Sequence, residues 1–336
     1  MTPRQRVEAA LRGETVDRPP VSFWGHFYHR ESSAQDLVDA TLEFQRRYQW
    51  DWIKLNPRRH YHAEPWGVRW TYSGVPDEKP KVASVPIRTG EDWSTIDEQP
   101  HDRGALAEQL DAVRRLRQGL GPDVPFVETV FTPLAILREM VREPRELREH
   151  LDTHAGPVRH ALESVTRTFE KFVPAVLEAG ADGIFFATVD WASRDQLSAE
   201  EYRRWARPFD ERVLAAMSRG RFNVLHVCKR NNLLFELADY PVHAFSWAAN
   251  DPSNPTLADA LKRIRGAAMG GISHEDALLE PDSGRVLAEF RSGLDETHGR
   301  RWLVAPGCSI PPRTPAANLR AIRDAVESAH VTSGPP

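Results

Sequence analysis

His226 and Cys228 stand one residue apart in the run NVLHVC, which begins at Asn223. Side chains alternate between the faces of an extended strand, so an imidazole and a thiol at this spacing point to the same side. The other cysteine, Cys308, lies in the run VAPGCSIPP. One imidazole and two thiolates suit zinc, and three protein ligands leave a fourth tetrahedral position for water or substrate, as catalytic zinc sites do. The convergence depends on a fold that brings Cys308 to the end of the His226 strand. From the residues alone a second account stands beside it, in which the cysteines are buried as small apolar groups and the histidine belongs to the core.

The elements that must position these residues are short apolar runs alternating with helical patterns. Eight such runs can be read: PVSFWG from Pro20, DWIKLN from Asp51, PFVETVF from Pro125, GIFFAT from Gly183, NVLHVC from Asn223, HAFSW from His243, AAMGGI from Ala267 and WLVAPG from Trp302. Their near-continuous apolar character suits strands covered on both faces. Eight strand-helix units predict an α/β fold, a (β/α)8 TIM barrel preceded by an N-terminal helix, with an open doubly wound sheet as the alternative. In a barrel the C-terminal ends of all strands ring one opening, which lets Cys308 reach across to His226.

The same opening collects other polar residues. His26 follows the first run, Lys54 and Asn56 lie on the second, Glu128 on the third, and Asp190 just after the fourth. Trp247, Asn250 and Asp251 trail the sixth, and Ser273, His274 and Glu275 the seventh. Asp190, Glu128 and His274 are candidate acid-base groups, whereas His26, Lys54, Asn56, Trp247 and Asn250 are candidate substrate contacts. Helix caps and solvated loop positions are the ordinary alternative for each.

Ser198, with Glu201 three residues on, predicts a capping box at the start of one helix. Leu319, Ile322 and Val326, after a threonine, predict the eighth barrel helix, with HVTSGPP as a frayed tail. Residues 60–101 break the rhythm. VRWTYS and KVASVPI within them read as a hairpin excursion after the second strand, a candidate lid over the opening, with a decorative insertion as the alternative.

Size and composition fit one elaborated barrel domain over residues 1–336. The formal charge of −4 is spread without a basic stripe, which gives a nucleic-acid partner no electrostatic support. The opening residues lack the apolar core of a signal peptide and no stretch approaches a membrane span, so a cytoplasmic location without membrane contact is expected. Two cysteines cannot make a disulfide framework. GGIS lacks the spacing of a phosphate-binding loop, a GxSxG elbow is missing, and His29, His60, His62 and His101 lack the spacing of a second metal cluster.

MTPRQRVEAALRGETVDRPPV, DWASRDQLSAEEYRRWARPF and APGCSIPPRTPAANLRAI resemble the uroporphyrinogen decarboxylase superfamily, and the likeness covers nearly the whole chain. The superfamily includes cofactor-free decarboxylases and zinc-dependent methyltransferases that act with methyl-corrinoid proteins, all on this barrel. The decarboxylases carry an arginine-rich RQAGRY segment after the first strand, where this chain has Gly25, His26, Phe27, Tyr28, His29 and Arg30. They tend to carry histidine after the eighth strand, where the methyltransferases have a PGC motif and this chain has Cys308. The resemblance therefore implies one zinc on His226, Cys228 and Cys308. It further implies a thiol substrate and a corrinoid carried by a partner protein, with Glu128, Asp190 or His274 as a displaceable fourth ligand. Glycine usually follows HxC in the family, and here Lys229 and Arg230 follow. The alternatives are a decarboxylase acting on a tetrapyrrole and a non-catalytic barrel that binds a corrinoid, tetrapyrrole or metal. The sequence does not fix the oligomeric state.

Overall fold

The computed structural model describes residues 1–329, and the HVTSGPP tail lies outside them. Seven strands form one parallel sheet in the order β1 (Ile53–Leu55), β4 (Phe126–Phe131), β5 (Gly183–Ala187), β6 (Val224–His226), β7 (Ala244–Ser246), β8 (Ala267–Ile272) and β9 (Trp302–Pro306). All are buried along their length, as strands with helices outside and a filled lumen must be. The sheet curls into a barrel, the predicted class, and each of these strands corresponds to a run read from the sequence.

The first run departs from expectation. Residues 20–25 make only isolated parallel bridges, Val21 to Val304 and Gly25 to Ile310, rather than a ladder strand. They nevertheless occupy the eighth position. On one side Ser22 N donates to Val304 O (3.1 Å) and Val304 N to Pro20 O (2.8 Å); on the other, Asp51 N donates to Val21 O (2.9 Å) and Ser22 Oγ to Trp52 O (2.6 Å). Pro19 and Pro20 bring no N–H to a ladder. A Cβ at Gly25 would lie 2.8 Å from Ile310 O, too close for any other residue.

Asp51 locks this closure. Its carboxylate, 1% exposed, accepts from Arg6 Nη1 (2.6 Å), Arg18 Nη1 (2.6 Å) and the Val21 amide (2.9 Å). Arg6 belongs to α1 (Pro3–Arg12), the expected N-terminal helix, whose Thr2 and Gln5 form a capping box.

The outer layer follows in chain order: α2 (Ala34–Tyr48), α3 (Gly104–Leu120), α4 (Pro133–Glu139), α5 (Pro144–Thr153), α6 (Ala155–Glu178), α7 (Ala199–Trp205), α8 (Arg207–Ala216), α9 (Leu257–Leu261), α10 (Gly284–Thr297) and α11 (Ala316–Ser328). The Ser198–Glu201 capping box opens α7 as expected. α11 buries Leu319, Ile322 and Val326, but Thr314 does not cap it: Pro315 holds the N-cap position with no side-chain cap hydrogen bond, and the Thr314 hydroxyl donates to Pro311 O (2.7 Å). Between β1 and α3 the excursion contains an antiparallel hairpin of β2 (Arg69–Thr71) and β3 (Lys81–Ser84), with short 3-10 turns on either side. Among the described residues no helix is long and apolar enough to cross a membrane.

Candidate metal and substrate site

Ligand atoms of His226, Cys228 and Cys308 all lie within 4.8 Å of one another. β6 ends at His226, so Cys228 stands two residues beyond the ladder, and Cys308 two residues beyond β9. The backbone is held at both places. Val227 N donates to Ser246 O (2.9 Å), Gly307 N to Ile272 O (2.9 Å), and Asn254 Nδ2 to Lys229 O (3.0 Å). A side chain on Gly307 would meet Ala248 Cα at 2.8 Å and His274 Nδ1 at 3.2 Å, so only glycine lets the chain pass and deliver Cys308.

The thiol sulfurs are 3.7 Å apart. Two thiolates on one tetrahedral zinc, with Zn–S bonds of about 2.3 Å, span about 3.8 Å. His226 Nδ1 lies 3.1 Å from Ser246 Oγ, whereas its Nε2 is buried and has no hydrogen-bond partner. An unpartnered buried ring nitrogen next to two thiols is the lone pair a metal would take. The donor set, spacing and orphaned nitrogen all fit zinc. The thiols share protons unevenly. Their mutual hydrogen bond, with His226 and His274 nearby, holds Cys308 well below its ordinary range, while that bond and burial push Cys228 well above.

Beneath the triplet lies an aromatic floor. Phe185 sits 5.1 Å from the His226 ring and 5.5 Å from Trp24, and Trp24 packs on Trp52 at 5.3 Å. Lys54 Nζ stands 4.8 Å from the Phe185 ring centre and is hydrogen-bonded to Asn56 Oδ1. Burial pulls the Lys54 amine down to about 8, although Cys308 and Glu128 oppose the shift. Glu128 is fully buried, accepts from Tyr61 Oη (3.2 Å) and Gln109 Nε2 (3.2 Å), and is pushed up to about 8 by burial.

The remaining candidates separate. His26 Nδ1 pairs with buried Glu31 (2.8 Å) and its ring stacks on Tyr28. His274 lies beside Gly307, with Nε2 3.7 Å from Glu275. Asp190 sits inside a tight turn, closed by Trp191 N donating to Thr188 O (3.1 Å), whose other central residue, Val189, is left-handed (φ 51°), an uncommon conformation for a β-branched residue. Trp247 is fully buried and its indole donates to Pro255 O (2.8 Å), which gives it a packing role and leaves no face for a ligand. Asn250 is exposed on the loop after β7.

Two ion pairs at this end of the barrel were not foreseen. Lys229 adopts φ 70°, the left-handed conformation that glycine takes most easily, and its Nζ is 3.3 Å from Asp190 Oδ1. Burial works against the Lys229 charge, but Asp190 and Cys228 hold its pKa above the ordinary value. Arg59, shortly after β1, donates from Nε (3.0 Å) and Nη2 (2.6 Å) to Oε1 of buried Glu139. Burial opposes its charge too, and Glu139, then Asp190 and Cys228, outweigh it. The RRH cluster of residues 58–60 just past a strand end was the available signal for Arg59. For Ser246 it was the cross-strand register, which pairs it with His226.

A methylcobamide:CoM methyltransferase (MtaA) from Methanosarcina barkeri is 26% identical over 96% of both chains, and a uroporphyrinogen decarboxylase from Geobacter sp. (strain M21) is 26% identical over 75% of this chain and 72% of its own. A solved methyltransferase from Methanosarcina mazei superposes with a TM-score of 0.83 at 23% identity, covering 97% of this chain and 98% of its own. A B12-independent methionine synthase from Shewanella sp. W3-18-1 gives 0.61 at 12% identity, over 93% and 97%. These two likenesses show the shared barrel. The uroporphyrinogen decarboxylase (URO-D) family model matches residues 2–329, and the chain belongs to that family.

Proposed function

We propose that the protein is a zinc-dependent methyltransferase that passes a methyl group from a methyl-corrinoid, carried by a partner protein, to a thiol. The observation that carries this reading is the convergence of His226, Cys228 and Cys308 with His226 Nε2 left unpartnered. The similarity to the Methanosarcina methylcobamide:CoM methyltransferases, one of them 26% identical over nearly the full chain, supports it.

His226 Nε2 and the two sulfurs would hold the metal, and zinc bound there would lower the pKa of a thiol and leave it a nucleophile at neutral pH. The chain's own residues then set the conditions. Ser246 fixes the His226 ring, the Phe185, Trp24 and Trp52 floor excludes water from below, and Lys54 keeps a positive charge close to the sulfurs. In this reading the excursion that follows β1, with its β2–β3 hairpin, serves as the cover of that end.

A decarboxylase reading draws on the family model and the Geobacter relative. It requires cationic residues after the first run to hold substrate carboxylates, and in that stretch His26 is engaged with Glu31 and Arg30 with Glu43.

The test is metal analysis of the wild type, Cys308→Ala and the double variant His226→Ala/Cys228→Ala under zinc-replete conditions, together with transfer from methylcobalamin to 2-mercaptoethanesulfonate. About one zinc per chain, lost in both variants along with transfer, is expected. Wild type without zinc, or unaltered transfer in the variants, overturns the reading.

A further inference from the structure

Both ion pairs at the mouth are built the same way round. Arg59 is 38% exposed and its partner Glu139 2%; Lys229 is 57% exposed and its partner Asp190 22%. Each carboxylate is the inner member and each cation the outer one. Although the four charges sum to zero, what a ligand arriving from solvent meets first is positive.

The two cations are not held alike. Arg59 is gripped through Nε and Nη2, and His60 Nδ1, 3.7 Å from the second Glu139 oxygen, packs on the same carboxylate. Two donors on one acceptor fix the guanidinium plane. Lys229 makes one contact at 3.3 Å through a flexible stem, on the residue directly after Cys228. One cation is therefore preset and the other can change partner.

We propose that Arg59 and Lys229 form a two-cation rim that selects the acceptor thiol by a compact negative group at its far end, Arg59 held ready by Glu139 and Lys229 exchanging Asp190 for the acceptor. This rests on the methyl-transfer reading above. Lys229 and Arg59 are specificity residues and Glu139 is a positioning residue. Lys229 keeps this role at a backbone position whose conformation favours glycine. A short sulfonate or carboxylate satisfies the rim, since both present coplanar or clustered oxygens to a guanidinium and an ammonium.

The test uses the zinc-loaded full chain with three acceptors: 2-mercaptoethanesulfonate, 3-mercaptopropionate and uncharged 2-mercaptoethanol. KM is read in methyl transfer from methylcobalamin, and Kd by calorimetry. Wild type should favour the anionic thiols by about tenfold or more, a 1.4 kcal/mol difference. Their ranking tells sulfonate from carboxylate. Lys229→Gly, which suits φ 70°, and Arg59→Gln should each shrink that preference toward unity through KM rather than kcat, and Lys229→Arg should restore it. Glu139→Gln should weaken anionic acceptors in the same sense. A wild type that takes neutral and anionic thiols alike, or variants that shift all three equally, overturns the proposal. Charge-selective binding without any methyl transfer would instead overturn the methyltransferase reading and leave the rim standing. Absence of binding by all three thiols removes both.

Discussion

The Nδ1 of His226 and the hydroxyl of Ser246 meet at 3.1 Å across paired strand ends. With Nδ1 donating, the lone pair sits on Nε2, the buried nitrogen beside the thiols. Ser246→Ala should therefore keep the fold but weaken zinc binding by roughly 10-fold. Competition with a chromophoric chelator measures it, and unchanged affinity would show that the ring is oriented by packing alone.

Among the described residues Asp51 is the carboxylate that two buried guanidiniums share at the point of ring closure, with Arg6 also reaching Asp17 and Arg18 also reaching Glu327. Asp51→Asn keeps the shape and removes the charge, which should cost about 3 to 5 kcal/mol. Denaturant unfolding checks this, and a loss under about 1 kcal/mol would mean that the outer acids suffice.

Asp210, on α8, is fully buried and accepts from Tyr202 Oη (2.7 Å) and Tyr240 Oη (3.0 Å). Burial pushes its carboxyl up to about 7 despite those bonds. A raised carboxyl pKa contributes stability that is fully present below the unfolded value and lost as pH rises through about 7. Asp210→Asn should thus gain on wild type between pH 5 and pH 8 by on the order of 2 kcal/mol. Parallel stability curves across that range would falsify this.

Glu128, with its carboxyl pushed up to about 8, is neutral at pH 7, and Gln reproduces that neutral shape. Glu128→Gln should unfold within about 1 kcal/mol of wild type at pH 7, whereas Glu128→Ala, which opens a cavity and leaves Gln109 without its partner, should lose about 2 to 4 kcal/mol. Thermal melts of the two variants side by side decide it, equal losses counting against a neutral acid.

The barrel was legible because seven buried strands are short apolar runs, a pattern that follows from covering both faces. The first run shares that composition but not the ladder, because its prolines and the close pass at Gly25 fix hydrogen bonding that composition does not report. His226, Cys228 and Cys308 were legible from strand alternation and the common mouth. Arg59 was missed because its role depends on Glu139, 80 residues away, and no local periodicity encodes that pairing. Trp247 shows the converse: its residue type and position at a strand end suit ligand contact, yet the Pro255 carbonyl claims its one donor.

The ring is closed by residues 20–25 lying against residues 304–310. On a ribosome, residues 20–25 emerge long before the stretch they pair with, and they must wait, unpaired on that side, while almost all the intervening chain is synthesised. Cys308 arrives in the same late stretch. Barrel closure and the meeting of His226, Cys228 and Cys308 are thus one event in the life of the nascent chain, so a ribosome stalled before residue 304 carries a protein with neither a finished ring nor the three side chains of the candidate metal site together.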